Sequence, residues 1–127
     1  MTVEEINNRL KELNIEDFIW IIYIGIIALS YYSNYLERNY FLTNNIESRN
    51  KYRNIIIIIF TILVIVYLYF LKDSFDSVKS LKPSDNKEKK NLIYLSFAAS
   101  LLIAVSGFIF LYIAIKDEDL NVELAFN

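Results

Sequence analysis

Three apolar runs, Phe18–Leu36, Ile55–Leu71 and Leu92–Ile115, contain no ionisable acid or base other than tyrosine. A helix needs about 20 residues to cross a hydrocarbon core of about 30 Å, and each run approaches or exceeds that length. Lipid offers no hydrogen-bond partner to the backbone, so each run has to be a helix that satisfies its own N–H and C=O groups. All 28 charged residues fall in the four blocks 1–17, 37–54, 72–91 and 116–127. A soluble bundle would scatter charge along each helix to make amphipathic faces. The expected fold is an all-α membrane protein with three transmembrane helices, preceded by a short amphipathic interfacial helix. The chain, 1–127, reads as a single membrane domain.

A cleavable signal peptide is the competing interpretation of the first run. Seventeen mostly polar, net-acidic residues precede it where a short basic segment belongs, and no A-x-A type cleavage site follows. The first run is therefore read as retained.

Local punctuation gives the expected boundaries. Thr2 and Glu5 form a capping-box pattern. Val3, Ile6, Leu10 and Leu13 recur at helical spacing opposite Glu4, Asn8, Arg9 and Glu12, which predicts an amphipathic helix over 2–14 lying at the interface. Asn14 and Asp17 are then expected to cap the first span. Thr43-Asn44-Asn45 should break that helix, and Asn44 with Glu47 should open the next one. Pro83 marks the clearest break in the chain. Asp85 with Glu88 is the expected cap of a third helix running to about Lys116.

Tyrosine and tryptophan favour the two membrane–water interfaces. Trp20, Tyr23, Tyr67, Tyr69 and Tyr94 gather at one predicted face and Tyr31, Tyr32, Tyr35, Tyr52 and Tyr112 at the other. The N-terminal segment and the 72–91 connection carry eight Lys/Arg, against five for 37–54 and the tail. The positive-inside rule then places the N-terminus in the cytoplasm and the C-terminus outside, in a multi-pass cell-membrane protein.

Function classes are narrowed mainly by exclusion. Histidine and cysteine are absent, which removes the usual proton shuttle, thiolate nucleophile and sulfur ligand. There is no glycine-rich phosphate loop and no nucleophile-elbow motif. No catalytic, cofactor-binding or metal-binding residue is assigned, and an enzyme is not expected. The net charge of −2 gives no reason to expect nucleic-acid binding, and no small-molecule substrate is evident. Transport pathways usually keep an ionisable residue inside a span, and the spans hold no Asp, Glu, Lys, Arg or His.

What remains is packing. Ser96, Ala99, Ser100, Ala104 and Gly107 lie along one face of the third span, and small residues let helix backbones approach closely. Gly25 and Ala28 offer a smaller matching groove on the first span. The face is expected to pack within the chain, with a homo-oligomeric interface or pore lining as the alternative. In the acidic tail, 117–127, the apolar residues Leu120, Val122, Leu124 and Phe126 alternate with others, the strand pattern; a lone strand is not stable, so the tail is expected to be disordered or to rest at the interface, with docking on a partner's sheet edge as the alternative. The 72–91 segment holds six lysines and four acids, expected as a solvated connection with weak attraction to anionic lipid.

The expected partners are the lipid bilayer and a membrane-protein partner or a second copy. The leading expectation is a small accessory, regulatory or assembly subunit acting through helix packing. In small size and three spans the chain also resembles one class of phage holins, which implies pore formation. Its acidic tail departs from the short basic tails usual there. Heavy use of Ile, Asn, Lys and Tyr suggests AT-rich coding, as in a low-GC bacterium or its phage.

Overall fold

In the computed structural model, which describes residues 2–124, the chain forms three helices: α1 over Val3–Thr43, α2 over Ile46–Lys79 and α3 over Lys87–Lys116. All three are long and apolar enough to cross a membrane.

α1 opens as its sequence dictates. Glu5 N–H donates to Thr2 Oγ1 at 3.1 Å, and Thr2 N–H donates to Glu5 Oε2 at 3.2 Å, closing the capping box. The expected break near Asn14 does not occur. One helix of 41 residues continues into the first span, so the separate interfacial helix over 2–14 is not formed. No Gly or Pro lies between Val3 and Phe18, and the Asn14 and Asp17 side chains make no cap among the described residues. At 1.5 Å per residue α1 is roughly 60 Å long, about twice the hydrocarbon core, so its first turns stand clear of the membrane.

The turn to α2 takes two residues. Asn44 adopts the left-handed conformation (φ 55°, ψ 31°) and its N–H donates to Tyr40 C=O at 2.7 Å. Asn tolerates this region better than most residues, which makes it a natural helix terminator. The N-cap of α2 is Asn45, accepting from Ser48 N–H at 3.2 Å, and not the expected Asn44–Glu47 pair. The left-handed position occupies Asn44, so capping passes to its neighbour. Asn39 Nδ2 donates to Ser48 Oγ at 2.7 Å and ties the two helix ends together.

α2 runs to Lys79, well into the segment expected as a solvated connection. Ser80–Asn86 then turns around Pro83, with Lys82 N–H donating to Asp85 Oδ2 at 2.8 Å. Asn86 caps α3 by accepting from Lys89 N–H at 2.7 Å, which corrects the Asp85–Glu88 expectation. Asp85 belongs to the turn and to an ion pair with Lys89 at 3.1 Å.

α2 is the hub. α1 and α3 each pack on it and not on each other. A third of the apolar stretch of α2 is buried (33%), against 11% for α1 and 17% for α3. The core forms where Ile56, Ile59, Phe60 and Leu63 of α2 meet Leu36 of α1 and Ala114 of α3. Phe60 and Phe110 hold ring centroids at 5.6 Å. Ser33 is fully buried, its hydroxyl donating to Ser30 C=O at 2.7 Å, so α1 meets its neighbour through a small residue with a satisfied polar group.

Candidate functional site

The small-residue face of α3 divides into two parts. Ala104 and Gly107 are buried against α2. A methyl group placed on Gly107 would stand 2.8 Å from Tyr67 Cδ2 and 3.3 Å from Val64 Cγ2, so the absent side chain is what admits the tyrosine ring. Ala114, one heptad beyond Gly107, continues this buried line; the same spacing rule would have found it in the sequence. Nearer the start of α3, Ser100 and Ser74 of α2 share a hydroxyl hydrogen bond at 2.8 Å. Ser96 and Ala99 are exposed, and Ser96 lines a cavity described below. The structure brings Ser100, Ala104 and Gly107 to α2 and leaves Ala99 outside the contact.

Gly25 and Ala28 are exposed, and open space surrounds Gly25. They do not meet α3, since α1 and α3 make no contact with each other. The expected matching groove is therefore not filled within the chain.

Without a partner, the described part of the tail forms no strand. Residues 117–124 form turns and irregular backbone. The Asp117 carboxylate accepts from Asn121 N–H at 3.0 Å and Val122 N–H at 2.8 Å, and Leu120 adopts a left-handed φ of 56°. This curl turns Leu120 and Leu124 onto the core, Leu124 to 9% exposure, while Val122 remains 51% exposed. Phe126 lies outside the described residues. Arginines from the start of α2 hold the same end: Arg53 Nη2 donates to Ile115 C=O at 3.1 Å, and Arg49 lies 3.7 Å from Asp119. Cations at a helix C-terminus are favourable because the last carbonyls lack intrahelical partners.

The opposite end is open. Between α1 and α3, over the exposed flank of α2, two cavities share Asp73. The outer one, about 280 Å³, is lined by Glu12 of α1, by Asp73, Asp76 and Ser77 of α2, by Ser80 just past its end, and by Lys89 of α3, among others. The inner one, about 320 Å³, is walled by Tyr23, Tyr67, Phe70, Asp73, Ser74, Ser96, Ser100 and Ile103. Asp73 lies two residues past the apolar run of α2. Among the described residues no cation lies within ion-pair distance of it. Arg9 is engaged by Glu12 at 3.1 Å and Glu16 at 3.5 Å, and Lys89 by Asp85. Partial burial, and then the charges of Glu12 and Glu16 with a smaller one from Asp76, push the Asp73 carboxyl above the usual carboxylate range, opposed in part by Arg9. Sequence reasoning assigned Asp73 to a connection and so missed it. The usable signal was the Ser/Asp-rich segment before Pro83, which keeps helical phase with the span.

Among the described residues, no group of three or more His, Cys, Asp or Glu side chains is arranged to hold a metal ion. No family model matches the chain, and no curated protein or solved structure matches it either.

Proposed function

We propose that this small multi-pass membrane protein is an accessory or assembly subunit that works through helix packing and catalyses no reaction. The observation that carries the reading is the notch at Gly25 and Ala28. It is a small-residue patch facing outward from a helix that buries only 11% of its apolar stretch. Small residues at a lipid-facing position let another helix approach closely, which is the main source of association where apolar burial offers no advantage. The orientation that fits the basic residues has the N-terminus and the Ser80–Asn86 connection in the cytoplasm.

Affinity purification of the full chain in mild detergent tests this. Gly25→Leu or Ala28→Leu is expected to reduce recovery of a membrane partner or a second copy, with monomer yield unchanged. Equal recovery from wild type and both variants refutes the notch as an interface.

The holin-like alternative draws on size and span number. Two exposed span hydroxyls weigh against it: Thr61 donates to Ile57 C=O at 2.7 Å and Ser106 to Leu102 C=O at 2.8 Å. Hydroxyls satisfied within their own helix need no water-filled lumen. Induced expression with a membrane-potential dye separates the two readings, since abrupt depolarisation supports the pore and stable accumulation supports the subunit.

A further inference from the structure

The inner cavity has a chemical character that helix packing does not explain. A membrane-facing cleft between helices needs only apolar walls to be filled by acyl chains. This one carries a carboxylate, the hydroxyls of Tyr23, Tyr67, Ser74, Ser96 and Ser100, and the ring of Phe70. The carboxylate forms no ion pair among the described residues: Arg9 acts on it only through its charge while bonded to Glu12 and Glu16, and Lys89, on the wall of the outer cavity, pairs with Asp85. A charge left partly buried and unpaired is costly, and a cationic ligand would relieve that cost. Aromatic faces next to a carboxylate favour an organic ammonium over a metal ion, since the ring quadrupole attracts a weakly hydrated cation. Both cavities lie near the lower end of the roughly 300–1,000 Å³ range occupied by small-molecule sites.

Location selects the source of the ammonium. Asp73 stands at the end of the apolar run of α2, at headgroup depth, and the cleft lies between two helices that do not touch. Below Asp73 the walls turn toward Ile103 and the span of α3; above it they become polar. That gradient suits an amphiphile lying with its chains in the bilayer.

We propose that this cleft binds the protonated amine of a membrane phospholipid headgroup, with Asp73 as its counter-ion and Tyr23, Tyr67 and Phe70 as its aromatic wall. The site does not depend on the accessory-subunit reading, since a lipid can occupy it whether or not α1 meets a partner.

The test is native mass spectrometry of the full chain released from mixed micelles. The micelles contain equal amounts of an ethanolamine-headgroup and a glycerol-headgroup phospholipid with the same acyl chains. Wild type is expected to retain the ethanolamine lipid roughly two- to thirtyfold over the glycerol lipid, the range of cation–π contacts from exposed to desolvated sites. Asp73→Asn should bring the ratio close to one and Asp73→Glu should largely keep it. The exposed Glu88→Gln should behave as wild type. Circular dichroism of each variant verifies that the helices persist. Equal retention of the two lipids by wild type, or undiminished preference in Asp73→Asn, overturns the site. Displacement of the lipid by free ethanolamine at matching concentration overturns its assignment to a lipid.

Discussion

Gly107 and Gly25 provide a controlled comparison, because the same substitution meets opposite surroundings. At Gly25 an added methyl touches nothing within 4 Å, whereas at Gly107 it lies 2.8 Å and 3.2 Å from two ring atoms of Tyr67 and 3.3 Å from Val64. Gly→Ala within a helix gains about 1 kcal/mol from lost backbone freedom in the unfolded chain and better helix propensity. Gly25→Ala should therefore be neutral or stabilising by up to that amount. At Gly107 the same gain is opposed by overpacking, which costs typically about 1–3 kcal/mol. The Tyr67 ring has one direction in which to yield, into the cavity it lines with Tyr23, and this places the penalty toward the lower part of the range. Gly107→Ala is thus expected to be about 1–2 kcal/mol less stable than Gly25→Ala. Reversible unfolding in mixed micelles, followed by far-UV circular dichroism, measures the difference. Tyr67→Val in the Gly107→Ala background should recover part of it, since the nearest obstructing atoms are gone. If Gly107→Ala matches or exceeds Gly25→Ala in stability, the close approach of α3 to α2 at this position is wrong.

Other expectations can be checked with the same preparation. Leu124→Ala should destabilise by about 2 kcal/mol, the low end for a truncated core leucine because the residue sits at the core's edge, while exposed Val122→Ala should stay within about 0.5 kcal/mol. Ser100→Ala leaves the Ser74 hydroxyl without its partner and should cost about 0.6 kcal/mol, with the Ser74→Ala/Ser100→Ala double variant less destabilised than the sum of the singles. The Lys82 N–H and then the Lys89 ammonium hold the Asp85 carboxyl below the usual carboxylate range. A carboxyl whose folded-state value is depressed stabilises fully above its unfolded value, about 3.9, and loses that contribution as pH falls through the folded value. The protection of the Lys82 amide, measured against its intrinsic exchange rate at the same pH, should therefore fall on acidification below about pH 4, and Asp85→Asn should abolish that dependence. Because the chain has no cysteine, Glu5→Cys, Thr43→Cys, Lys87→Cys and Asn121→Cys can be labelled from either side of the membrane. Glu5 and Lys87 should react from one side and Thr43 and Asn121 from the other; same-side reaction of Glu5 and Asn121 refutes three spans.

Much of the fold was legible because lipid leaves the backbone few choices. The three helices, the Thr2–Glu5 box, the breaks at Asn44 and Pro83 and the end at Lys116 follow from local chemistry that tertiary contacts do not alter. The cap residues were displaced by one because adjacent asparagines and an Asp-Asn pair compete for the same role. Only the left-handed geometry at Asn44, and the tie from Asp85 to Lys82 in the turn, decide between them. Helix continuity was harder to read. Charge marks where a span leaves lipid, but it does not mark where a helix stops. α1 and α2 therefore carry their helical phase through Arg9–Asp17 and Lys72–Lys79. The tail is a different case: its alternation describes a strand that only a partner's sheet edge would complete, and in the chain by itself the Asp117 carboxylate bends the backbone at Asn121 and Val122.

Those extensions make the two ends of the molecule unlike each other. At one end a two-residue turn, the tail and two arginines from α2 bring three helix termini together around Leu36, Tyr52 and Ala114. A ligand or partner arriving there has to displace Leu124. At the other end α1 overshoots the bilayer, and α2 continues to Lys79 before a seven-residue connection, so α1 and α3 flank α2 without closing over it. Polar groups that elsewhere would face water instead line an open cleft. Sequence polarity alone cannot distinguish a solvated loop from the wall of a site; the distinction depends on whether helical phase persists beyond the last apolar residue. Asp73 is where that matters most, since a loop aspartate would be free to find a lysine among the six nearby, and a helical one is held away from them.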